Sequence, residues 1–206
     1  MELFGQNAEF KLDVLREIGN IGAGNAATAL SRLLDKRVNM KVPTVSVLPF
    51  EQIADRVGGA ETVVVAVYLR VVGDAPGNMF FIMSLEQANR LLNVLLGMED
   101  VKGPGYTEME LSTLCEIGNI LGGSYLTSLA DLTGMRLTPT VPSVAVDMAG
   151  AILGYGLLQF GTMGDDALLI DTTFFEGDRQ AEGHFFFIPD PDAFPRLFHS
   201  LGVPME

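Results

Sequence analysis

Two stretches of this chain read as one: Asp13–Val47, DVLREIGNIGAGNAATALSRLLDKRVNMKVPTVSV, and Ser112–Val146, STLCEIGNILGGSYLTSLADLTGMRLTPTVPSVAV. They align without a gap at a constant offset of 99. Fifteen of the 35 positions are identical, including the unbroken run EIGNI. A match of that length inside one chain is a duplication, and a duplication constrains the architecture before any single element does. The match continues more loosely, Gly77–Gly97 (GNMFFIMSLEQANRLLNVLLG) resembling Glu182–Gly202 (EGHFFFIPDPDAFPRLFHSLG) at an offset grown to 105. The second copy therefore holds six additional residues, which the sequence places around Gly161–Asp166. The repeats span about 8–97 and 107–202.

Each copy reads as a long helix, then strands, then a closing helix. In the first, the helix covers Phe10–Asp35, and strand-like segments follow at Val38–Val42, Val45–Leu48, Thr62–Val72 and Asn78–Met83. The last two flank Gly73-Asp74-Ala75-Pro76-Gly77, a turn cluster between β-branched and aromatic runs, which predicts a hairpin. Ser84 is an N-cap signal for a helix over Leu85–Leu96, with Glu86 and Gln87 behind it and Gly97 as its stop. The second copy gives a helix over Glu108–Leu132, strands near Leu137–Val146, Ala167–Phe175 and His184–Ile188, and a helix over Asp192–Leu201. Met98–Tyr106, with Gly103-Pro104-Gly105, reads as the linker. The class is α+β. One pseudo-two-fold body of residues 1–206 is expected, a sheet covered by helices with the two repeated helices adjacent and exposed, since each half alone is small for a stable core.

On a wheel of about 100° per residue with Asp13 at zero, Glu17, Asn20 and Gly24 fall within about 40° of it. Leu15, Ile18, Gly22, Ala26, Ala29 and Leu33 lie opposite, an apolar stripe turned inward. The second helix puts Ser112, Glu116, Asn119 and Gly123 at the same angles as the polar stripe. A polar stripe on one helix is ordinary solvated surface. Here the buried face has drifted between copies (Gly22 against Leu121, Ala26 against Tyr125), while Glu and Asn stand unchanged beside poor helix formers. Packing alone does not demand that.

Composition removes several classes of function. A formal charge of −13 with 13 Lys and Arg argues against nucleic acid as a partner. A single cysteine, Cys115, excludes an internal disulfide and suits a reducing cytoplasm. The start MELFGQNAEFKLD has no apolar core of a secretory signal, and Thr62–Val72 is far short of a membrane span, so a soluble cytoplasmic protein is expected. Gly19-Asn20-Ile21-Gly22-Ala23-Gly24 has the wrong glycine spacing for a dinucleotide loop, and no strand precedes it. Asp165, Asp166 and Asp171 lack calcium-loop spacing; His184 and His199 read as isolated, without a serine elbow; Cys115 reads as a bystander.

The pattern [DS]-x3-E-x2-N-x22-P now stands out twice, as Asp13, Glu17, Asn20, Pro43 and as Ser112, Glu116, Asn119, Pro142. In this the chain resembles, over essentially its whole length, the CheC family of chemotaxis phosphatases (CheC, CheX and FliY), and its two sites without an extension resemble the stand-alone CheC type. The resemblance implies hydrolysis of the phosphoaspartate on the response regulator CheY. By the same analogy, the receiver supplies a bound Mg²⁺ and a lysine, so the helper needs no metal or other cofactor of its own. Glu17, Asn20, Glu116 and Asn119 are then the catalytic set: the amide, which donates and accepts at once, orients a water, and the Glu engages the receiver's lysine. Gly24 and Gly123 admit the partner's backbone; Asp13 and Ser112 cap or support the helix start; Pro43 and Pro142 direct the chain into a strand. The resemblance also implies a second partner, the receptor deamidase CheD, with Asp147 at the acidic position of its surface; the plain alternative for Asp147 is a solvated strand end. The rival to the enzyme is an adaptor that binds CheD and CheY and turns over little.

Overall fold

The computed structural model describes residues 8–97, 105–160 and 166–201. The linker predicted at Met98–Tyr106 lies largely outside them, as does most of Gly161–Asp166, where the sequence places the extra residues. In chain order the elements are α1 (Ala8–Leu34), β1 (Asn39–Lys41), β2 (Val45–Pro49), a 3₁₀ turn and the short α2 (Ile53–Arg56), β3 (Val63–Gly73), β4 (Gly77–Ser84) and α3 (Leu85–Leu96). The second half gives α4 (Glu108–Thr133), β5 (Leu137–Pro139), β6 (Ser143–Met148), α5 (Ala149–Phe160), β7 (Asp166–Glu176), β8 (Arg179–Pro189) and α6 (Ala193–Ser200).

All eight strands join one antiparallel sheet in the order β1-β7-β8-β4-β3-β5, with β2 also on β7 and β6 also on β3. The halves interlock. The short strands after α1 pair with β7 of the second copy, and those after α4 pair with β3 of the first. Each repeated helix follows its own short strands across: Gly19 of α1 lies over Ile170 of β7, and Gly118 of α4 lies over Val67 of β3. The β4–β8 pair joins the two halves at the centre, Phe80 opposite Phe186.

Because side chains alternate along a strand, the four long strands feed two cores. Val65, Val67 and Leu69, Phe81, Ile170, Phe185 and Phe187 face α1, α3, α4 and α6. Val64 and Ala66, Phe80 and Ile82, Leu169 and Phe186 face Ile53 and Val57 on one flank and Ala149, Ile152 and Leu153 on the other. This corrects the 105-residue offset, which sets Phe80 over Phe185. Those rings lie on opposite faces of the sheet, and a one-residue slip inverts every side chain.

The predicted caps of α3 hold. Ser84 accepts from the Gln87 N–H, and Gly97 closes the helix at φ 68°, a conformation that glycine adopts without strain. At α4 the cap is Thr107, which exchanges a capping box with Glu110, so Ser112, well inside the helix, is no cap. Asp13 is likewise inside α1, which begins at Ala8. Two helices have no counterpart in the sequence reading: α2, and α5, whose glycines and unbroken apolar run conceal it. Leu33 also departs from its place on the apolar stripe, at 58% exposed, because Leu30 and Leu34 take the inward positions at the end of α1.

Candidate functional site

The EIGNI run divides by face in both copies. Ile18 and Ile117 enter the main core, and Gly19 and Gly118 bring the helix down onto the sheet. A Cβ on Gly118 would sit 2.5 Å from Val67 Cγ1, so the helix can lie this low only without a side chain there. That contact fixes the rotation of α4; on α1 a Cβ at Gly19 would lie 3.3 Å from Val42 and 3.6 Å from Ile170, a looser version of the same approach, and both helices turn Glu and Asn outward. On α1, Asp13, Glu17, Asn20 and Gly24 are all exposed. On α4, Ser112 and Glu116 are exposed, with Asn119 and Gly123 half-buried. A Cβ at Gly24 or Gly123 would meet nothing within 4 Å, so an open notch follows each Asn by about one turn. The notches have matching walls: the hydroxyls of Thr28 and Thr127 donate to the carbonyls of Gly24 and Gly123, at 2.9 and 2.8 Å.

The surroundings differ. On α1, Arg16 donates to Asp13 at 2.8 Å, while Glu17 and Asn20 make no side-chain hydrogen bond among the described residues. On α4, Cys115 stands in place of Arg16 and its thiol points to the carbonyl of Pro142 at 3.6 Å. Burial, and then the Glu116 carboxylate, push that thiol above its ordinary value, away from the thiolate. Asn119 Nδ2 lies 3.5 Å from Glu116 Oε2, a contact at the limit of a hydrogen bond that leaves the amide free to rotate toward a ligand. Beside this pair an open concavity of about 390 Å³ is lined by Ser112, Cys115, Glu116, Asn119 and the loop Pro139–Pro142.

Pro43 is exposed ahead of β2, and Pro142 is half-buried immediately before β6. Asp147 is exposed on β6, opposite Val64, and its Oδ1 accepts from the N–H of Met148 at 2.7 Å. His184 is not isolated. Its Nδ1 donates to Asp171 at 2.7 Å, and Arg56 donates to the other carboxylate oxygen at 2.6 Å. Asp171 and His184 are direct cross-strand partners in the β7–β8 hairpin. The overlooked signal was the two-residue turn Gly177-Asp178, from which counting back along both strands brings them together.

Fold and site define a class: a duplicated α+β protein that presents one Glu–Asn pair on each of two helices packed on a shared sheet. Comparison with known proteins makes the class specific. The profile of the CheC-like family matches residues 10–47 and 109–146, the two motif segments. The CheY-P phosphatase CheC of Bacillus subtilis (strain 168) is 43% identical, with both chains covered completely. The flagellar motor switch phosphatase FliY of the same organism is 30% identical over 66% of this chain and 36% of its own length. In structure, Thermotoga maritima FliY superposes with a TM-score of 0.73 at 22% identity, covering 98% of each chain. The chain belongs to the CheC-like family. No helix among the described residues is long and apolar enough to cross a membrane.

Proposed function

We propose that this protein is a phosphoaspartyl phosphatase that hydrolyses the acyl phosphate of the chemotaxis response regulator CheY, at two sites, in the cytoplasm. The observation that carries the reading is the repeated outward-facing pair: Glu17 with Asn20, both exposed, and Glu116 with the half-buried Asn119, each followed by an open notch. The 43% identity to a CheY-P phosphatase over both full lengths supports it.

Phosphoryl transfer needs an in-line nucleophile and charge stabilisation more than covalent help from the catalyst. A receiver that brings its own Mg²⁺ and lysine lacks only a placed water. The carboxamides of Asn20 and Asn119 serve that purpose, the oxygen accepting from the water and the nitrogen donating to it. Glu17 and Glu116, one turn earlier on the same face, pair with the receiver's lysine and set the docking angle. Gly24 and Gly123 give the receiver's backbone room. No nucleophile, metal or other cofactor on this chain enters the reaction. Misplacing the water by about 1 Å is enough to lose roughly 10²-fold in rate. Replacement of Asn by Ala therefore lowers kcat, whereas replacement of Glu by Ala raises KM as well. The test is loss of acyl phosphate from phosphorylated CheY in Mg²⁺, with and without the protein. A decay left unchanged removes the reading.

The deamidase CheD is proposed as a second partner, over the exposed end of β6 that carries Asp147. Titration of CheD with the protein and with Asp147→Lys tests this. Equal affinities would return Asp147 to the role of a solvated strand end.

A further inference from the structure

The duplication puts Val42 and Val141 at one place, each immediately before the motif proline. The strands leading to them keep equivalent registers, Met40 opposite Phe174 and Pro139 opposite Val71. The two valines nevertheless point to different environments. Val42 is 7% exposed, its Cγ1 3.3 Å from where a Cβ of Gly19 would lie, whereas Val141 is 91% exposed. On the α1 side the valine closes the space between helix and loop. On the α4 side it stands clear, and the concavity beside Glu116 and Asn119 has Val141 on its wall.

The loop that presents Val141 is tied down on both sides. Thr140 N–H donates to the Arg70 carbonyl at 2.8 Å, and the Thr140 hydroxyl accepts from Arg70 N–H at 3.0 Å. The Arg70 guanidinium is itself held by two hydrogen bonds to the Asp190 carboxylate. After Val141 comes Pro142, whose ring fixes the backbone and whose carbonyl accepts from Cys115. An apolar side chain on a backbone already immobilised loses little freedom when a partner covers it.

We propose that Val141 is an apolar docking residue for the phosphorylated receiver at the α4 site, a specificity-determining contact that the α1 site lacks. The proposal rests on the phosphatase reading. Its occupant follows from continuity: Val141 lines the same concavity as Glu116 and Asn119, so a receiver that brings its phosphate to Asn119 covers Val141 as well. A well-placed apolar anchor amid polar contacts is the usual form of a binding hot spot.

The test isolates the sites. In an Asn20→Ala background, where α4 alone acts, Val141→Ser raises KM for phosphorylated CheY by about tenfold with kcat unchanged, and Val141→Ile restores it. In an Asn119→Ala background, where α1 alone acts, the same serine leaves KM where it was. An unmoved KM in the first background overturns the proposal, as does an equal change in both, which would mark a general structural effect. Reduced self-association with KM unmoved also overturns it, in favour of a contact between copies of this chain. Should neither parent variant speed the decay of CheY-P, the phosphatase reading fails and the proposal with it, an outcome distinct from active parents indifferent to Val141.

Discussion

The ring of Tyr125 on α4 occupies the space in front of Gly22 on α1, where a Cβ would lie 2.3 Å from its Cδ1. Tyr125 is buried there, its ring tilted against Phe185 with centroids 4.8 Å apart and its hydroxyl 3.0 Å from that of Thr172. The drift between copies on the buried face is thus one event seen twice: a large residue on one helix answered by the absence of a side chain on the other. Gly22→Ala should destabilise the fold by about 1–3 kcal/mol, the usual cost of overpacking a core. The urea midpoint reads it, and a midpoint at or above wild type would contradict the packing described.

The glycines of the two notches should behave in the opposite sense. Gly24→Ala and Gly123→Ala add a methyl to open space in a helix interior, and each should stabilise by about 0.5–1 kcal/mol. If the notches admit the receiver's backbone, the same variants should slow CheY-P decay. Gains in stability with full activity would show that the notches are not used.

Much of this was legible in the sequence because the duplication carried it. EIGNI, the polar stripe and the Ser84–Gly97 caps each depend on local spacing, and local spacing survives into the structure. Long-range facts were not available from it. Val42 and Val141 have the same residue type and the same following proline, yet one is buried and one exposed, since the difference lies in the path of a loop. The partnership of Asp171 with His184 depends on hairpin register, and the helix α5 on a face of the sheet that only the assembled fold creates.

Cys115 should be a sluggish thiol. Its upward displacement by burial and by Glu116 predicts alkylation slower than that of a free cysteine peptide at neutral pH, with a midpoint above the ordinary thiol value. Iodoacetamide labelling against pH measures it; a fast, low-pH reaction would mean that the thiolate is stabilised.

The Arg56–Asp171–His184 cluster should make stability depend on acid. Burial pulls the Asp171 carboxyl up, but the hydrogen bonds from His184 and Arg56 and the neighbouring positive charge outweigh it and hold it below 3.8. A carboxyl lowered on folding stabilises the native state above its ordinary value, and that contribution fades as pH falls through the folded value. Wild type should therefore exceed Asp171→Asn in urea midpoint at pH 6, with the gap narrowing below about pH 4. A gap independent of pH would place the effect in packing instead.

Whether both repeated helices are active sites is read from the decay of phosphorylated CheY in Mg²⁺. Wild type, Asn20→Ala, Asn119→Ala and the double variant should be compared at matched concentration. With two active helices, wild type speeds the decay, each single variant keeps partial activity and only the double variant falls to the spontaneous rate. Abolition by one single substitution would mean that the other helix is an inactive copy, and decay unchanged by wild type would mean that neither helix is an active site.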